Sequence, residues 1–123
     1  MPTRSSRSSV LVWPDREAVD RAARQWAKTV AGADPNVLRI GYIGSYARGD
    51  WGVGSDLDLV ILVERSDTMW ERRAAGWDTT PLPVPVDLFV YTEDEWARID
   101  PGSRFGRTAQ SEIEWLYGYT ATR

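Results

Sequence analysis

Asp56 and Asp58 flank Leu57 where an aliphatic run, Leu57 to Val63, begins. If that run is a strand, side chains alternate with period two, and both carboxylates emerge on one face about 6.5 Å apart at the backbone. Two such acids repel each other and weaken the fold near neutral pH unless a cation shares the site. Magnesium suits them, because it takes oxygen ligands and typically uses one or two protein carboxylates together with substrate phosphates. Upstream, Gly44 and Ser45 follow a run of branched and aromatic residues and are expected to open a short helical turn. Backbone N–H groups point outward there, so the turn can seat a phosphate, with the Ser45 hydroxyl and Arg48 as further donors. Asp87 stands between Val86 and Leu88 near the start of a later apolar run. If the two strands are neighbours, Asp56, Asp58 and Asp87 form a site for two metal ions about 3.5–4 Å apart, the arrangement used in phosphoryl or nucleotidyl transfer.

Composition narrows the chemistry to these groups. The 123 residues contain no histidine and no cysteine, which removes the usual general base, disulfides, thiolate metal sites and cysteine nucleophiles. Eighteen acidic residues against fifteen basic ones leave a net charge of −3, which argues against nucleic acid as the main partner. The longest aliphatic run is far short of the roughly 20 residues that span a bilayer, and no apolar signal core follows the start, so a cytoplasmic protein with no membrane association is expected. With 42% hydrophobic and 27% charged residues, the chain has the makeup of one globular domain.

The elements that must position the acids can be read along the chain. Residues 1–9, rich in Ser and Arg, are expected to form a flexible tail ahead of a single domain over residues 10–123. From Asp15 to about Ala31, Val19, Ala22, Ala23, Trp26 and Val30 recur at helical spacing. Val37 to Ile43, Leu57 to Val63 and Val86 to Tyr91 read as strands, the second apolar on both faces and therefore buried. A short helix is expected from Arg65 to Gly76 and a loop over 78–85, where prolines stand at 81, 83 and 85. Thr92 and Glu95 have the spacing of a capping box, opening a helix to about Ile99. A last helix is expected from Arg107 to about Tyr117, with Ile113, Leu116 and Tyr117 on one stripe and Trp115 and Tyr119 elsewhere, available to a partner. The sum is an α/β (α+β) fold, a small mixed sheet flanked by helices.

Gly-Ser, ten residues, Asp-Leu-Asp, then Val-Asp-Leu-Phe-Val resembles the DNA polymerase β-type nucleotidyltransferase superfamily. The wording GSYARGD is similar to its minimal nucleotidyltransferases, often antitoxins beside HEPN-domain toxins. The resemblance covers about residues 37–91. Gly-Ser and Asp-x-Asp at one fixed spacing recur by chance in roughly one chain of this length in several hundred. The resemblance implies the nucleotidyltransferase fold, ATP or another nucleoside triphosphate as substrate, and Mg2+ held by Asp56, Asp58 and Asp87. It further implies attack of an acceptor hydroxyl on the α-phosphorus, with Gly44 and Ser45 at the phosphates and Asp87 drawing the acceptor proton. The acceptor it implies is a HEPN-type toxin partner in a toxin–antitoxin pair. Two other functions fit the same residues: a toxin-binding module without catalysis, and transfer to a small molecule of the aminoglycoside kind. Homo- or hetero-oligomers are compatible with either. Individual residues also have simpler readings. Arg48 can pair with Asp50, Asp87 can be a ligand without being a base, and Trp51 can stack a base or staple the loop.

Overall fold

The computed structural model describes residues 13–118. The expected tail over 1–9 and Tyr119 lie outside them. The first helix, α1 (Arg16–Ala33), starts where Asp15 accepts a hydrogen bond from the Ala18 N–H at 2.9 Å. Its buried stripe is Val19, Ala23, Trp26, Ala27 and Ala31. Three alanines in that stripe leave room for the helix to lie close to a sheet.

The sheet contains β1 (Val37–Ile43), β2 (Leu57–Val63), β3 (Val86–Thr92) and β4 (Glu114–Gly118) in the order β3-β2-β1-β4. β1 runs antiparallel to both β2 and β4, while β2 and β3 are parallel. Between them lie α2 (Ser45–Arg48), α3 (Trp70–Arg73) with a 3-10 turn over Ala74–Gly76, α4 (Glu93–Ala97) and α5 (Arg104–Glu112). The mixed sheet with flanking helices is the architecture expected from sequence, and the bounds of β1 and β2 agree residue for residue.

Each face of the sheet has its own core. Ile40, Tyr42, Leu57, Leu59, Ile61, Val63 and Val90 pack under α1, and the proline-rich loop adds Leu82 and Val84 to the same cluster. The Trp26 indole N–H donates to the Asp78 carbonyl at 2.8 Å and ties that loop to α1. On the opposite face Ile43, Val60 and Leu62 are covered by Phe89, Tyr91, Trp96, Phe105, Ile113 and Trp115. Burial on both faces explains why β2 reads as a continuous apolar run rather than an alternating one.

Three expectations need correction. The short helical segment within 65–76 begins only at Trp70, and α4 stops at Ala97 rather than near Ile99. More consequential, residues 107–117 are not one helix. Ser103 caps α5 by accepting from the Gly106 N–H at 3.0 Å, the helix ends at Glu112, and the chain then extends as β4. Ile113, Leu116 and Tyr117 fit a helical stripe, but Leu116 on one face with Ile113 and Trp115 on the other fits a strand equally well. The open edge of β1 decides the matter by offering β4 a ladder of main-chain hydrogen bonds. Gly41 makes the pairing possible, since a Cβ there would fall 2.8 Å from the Trp115 ring and 2.9 Å from the Glu114 carbonyl oxygen.

Candidate active site

The three aspartates lie at one end of the sheet. Asp58 is opposite Asp87 in the parallel β2–β3 pairing and opposite Ile43 in the antiparallel β1–β2 pairing. Partnered residues of neighbouring strands point to the same face, so the Asp58 and Asp87 side chains stand side by side about 4.8 Å apart at the backbone. Asp56, two residues before Asp58, precedes β2 on the same side of the fully buried Leu57. Asp56 and Asp87 are exposed, and Asp58 is half-buried between them. Burial, followed by the negative charges of Asp87 and Asp56, pushes the Asp58 carboxyl up to about 6, and Arg48 opposes the rise only in part.

The expected phosphate turn adjoins these acids. Gly44 takes φ +88° and ψ −156° as β1 gives way to α2. A Cβ at Gly44 would collide with Asp58 Oδ2, so glycine serves both the positive φ and the close approach of the carboxylate. Ser45 opens α2 and is partly exposed. Arg48 closes that turn, its Nε donating to Asp50 at 3.2 Å and its Nη1 to Glu112 at 3.3 Å. The simpler reading of Arg48, a pair with Asp50, is what the structure shows, and that pair holds the guanidinium beside the turn.

Aromatic side chains brace the loop. The Tyr46 ring is fully buried, and its hydroxyl accepts from the Trp13 indole N–H at 3.0 Å. The Arg16 Nε donates to the Tyr46 carbonyl at 2.8 Å, linking α1 to the turn. Trp51 stacks on Tyr46 with ring centroids 5.6 Å apart and planes 10° from parallel. Trp51 therefore staples the loop.

Glu112 joins the site without having been singled out from the sequence. Its Oε2 accepts from the Gly44 N–H at 2.6 Å, and the same carboxylate receives Arg48. An expected helix through Tyr117 would have put Glu112 on an ordinary polar face. Only the end of α5 and the docking of β4 bring it to Gly44. On the outer side of Asp87, along the free edge of β3, lies a cavity of about 520 Å3 walled by Trp77, Thr79, Val86 and Leu88.

The donor set suits a hard divalent cation. All donors are carboxylate oxygens, and burial, followed by the charges of Asp87 and Asp56, raises the Asp58 carboxyl. Among the described residues no three acidic side chains converge into a ready-made metal cage. Magnesium does not require one, since it is commonly held through one or two carboxylates with the rest of its shell from substrate and water. No helix among the described residues is long and apolar enough to cross a membrane.

The same arrangement of strands occurs in known structures. A candidate nucleotidyltransferase from Sulfolobus solfataricus is similar at 20% identity and a TM-score of 0.61, covering 94% of this chain and 89% of that one. A toxin–antitoxin structure with AMP-PNP is similar at 18% identity and a TM-score of 0.55, covering 78% of this chain and 73% of that one. The toxin–antitoxin MntA-HpeT, in a form with two Asp-to-Glu substitutions, is similar at 16% identity and 0.53, covering 79% and 73%. No curated protein matches the sequence. At these identities the structures establish a common fold. The family of the nucleotidyltransferase domain matches residues 24–115, which takes in β1, β2, β3, the start of β4 and all three aspartates, and the chain belongs to that family of enzymes.

Proposed function

We propose that this nucleotidyltransferase moves AMP from ATP, with Mg2+, to a hydroxyl on a protein partner, a HEPN-type toxin to which it is the antitoxin. The observation that carries the reading is the register of Asp58 against Asp87, with Asp56 on the same side and the Gly44 turn in contact with Asp58. The similarity to toxin–antitoxin structures, one of them with AMP-PNP, supports the choice of partner and nucleotide.

Asp56, Asp58 and Asp87 would hold Mg2+, which when bound neutralises triphosphate charge and polarises the phosphoryl oxygens. Gly44 and Ser45 would donate to phosphate oxygens, and Arg48 would bring a positive charge to the same group. The exposure of Asp87 on an edge strand, with open space at its outer side, supports it as the acid that would meet an incoming hydroxyl. It would take the hydroxyl proton as the oxygen bonds to the α-phosphorus and the bond to pyrophosphate breaks. The braced loop would keep the turn and the acids in register during that step, since misplacement of about 1 Å can cost a hundredfold in rate.

The test is incubation of the chain with α-labelled ATP, Mg2+ and the product of an adjoining toxin-like gene. Label should pass to the partner and disappear with Asp56→Ala. Label transfer that survives this substitution rejects the catalytic assignment. Neutralisation of the partner without any labelling identifies a binding module instead.

A further inference from the structure

Two of the three groups assigned to the nucleotide's phosphate, the Gly44 N–H and the Arg48 guanidinium, are already engaged by one side chain. Glu112 Oε2 lies 2.6 Å from the Gly44 nitrogen and 3.3 Å from Arg48 Nη1. The Glu112 side chain is only 12% exposed, whereas Arg48 remains 47% exposed. A carboxylate oxygen gripped by a backbone donor and a guanidinium presents the same charge to the same donors as a phosphate oxygen would.

We propose that Glu112 is an intramolecular competitor for the nucleotide, holding the Gly44 turn and Arg48 in its absence and swinging aside when a triphosphate binds. The proposal rests on the nucleotidyltransferase reading of the site. Glu112 and a phosphate cannot share the Gly44 N–H, and leaving both in place would crowd two anions against Asp58, whose carboxyl already feels the charge of Glu112. The motion belongs to the side chain. Ile113 N–H still bonds the Ala109 carbonyl, and from Glu114 onward the chain is laddered to β1. A tethered competitor acts at high effective concentration, so the displacing ligand must offer more than one anionic contact. A cation-bound triphosphate does so, and a single inorganic phosphate does so poorly.

Calorimetric titration of the full chain with ATP and Mg2+ tests the proposal in three forms: wild type, Glu112→Gln and Glu112→Ala. Glutamine keeps an oxygen for the Gly44 N–H but removes the charge, which preserves the fold should alanine fail. Glu112→Gln is expected to bind ATP about tenfold more tightly than wild type, the difference between a charge-assisted and a neutral competitor. Inorganic phosphate should be bound measurably only by the variants. Equal or weaker ATP binding by a folded Glu112→Gln overturns the competitor and leaves the nucleotidyltransferase reading standing. Failure of all three forms to bind ATP rejects the nucleotide site itself and the competitor with it.

Discussion

Just past the last residue of β3, Glu95 accepts from Arg73 at 2.6 and 3.1 Å and from the Thr92 N–H at 2.8 Å. Arg73 also donates to the Val90 carbonyl at 3.2 Å. These bonds, with Arg73 the largest influence, bring the Glu95 carboxyl down to about 2. Near the start of the same strand, Asp87 lies beside Asp58, whose carboxyl is pushed up to about 6. One end of β3 is thus arranged to stabilise the negative charge it carries. The other gathers negative charge and leaves most of it unanswered. Under the proposed function only the second would be explained by a ligand, because structural acids gain from pairing while a cation site must hold its charge in reserve.

The comparison breaks most sharply at the acids themselves. Asp56→Ala should lower label transfer by at least about a hundredfold while leaving the thermal melt intact, since the loss falls on an exposed group that acts in the reaction. Glu95→Gln should do the reverse, leaving transfer unchanged.

Gly44→Ala should cost about 2–3 kcal/mol, read from urea unfolding, because it combines an unfavourable positive φ with a collision at Asp58. A loss near zero would mean that Asp58 does not rest against the turn.

Glu95→Gln should cost about 1–2 kcal/mol at pH 7, discounted for the partial exposure of the carboxylate. The sign follows from its lowered folded-state value. The stabilisation is complete above the usual 4.5 and is lost as pH falls towards about 2. Melts of the variant and wild type should therefore converge in acid.

Asp58→Asn should have the smallest effect, a gain of about 1 kcal/mol at pH 7 once solvent screening is allowed for. Its raised folded-state value means that the penalty is absent below the usual 3.8, grows as pH rises, and is complete above about 6. Mg2+ should raise the melting temperature of the wild type and have little effect on this variant. A wild type indifferent to Mg2+ would undo the contrast between the two ends of β3.

Legibility in the sequence follows the range of the forces involved. Thr92 and Glu95 form the expected capping box because both bonds close within one helical turn. Leu57 to Val63 announces a strand buried on both faces by its unbroken apolar character. The period-two spacing of Asp56 and Asp58 is likewise a local fact, and Gly44 with Ser45 marks a turn wherever the chain goes next. The stretch from Ile113 to Tyr117 is different, since its few apolar residues satisfy both helical and strand periodicity.

By itself, then, the order of residues determined the first three strands, the first helix, the capping box at Thr92, the turn at Gly44 and the identity of the acids. Each depends on neighbours a few positions away, through backbone hydrogen bonds, steric limits on φ and alternation of side chains. Tertiary structure alone decided that β3 lies parallel to β2 in the register pairing Asp58 with Asp87, that β4 completes the free edge of β1, and that Glu112 reaches the Gly44 N–H. Those outcomes join residues about thirty to eighty positions apart. They are selected by burial of two opposite sheet faces and by satisfaction of a strand edge, which no local window of the sequence contains.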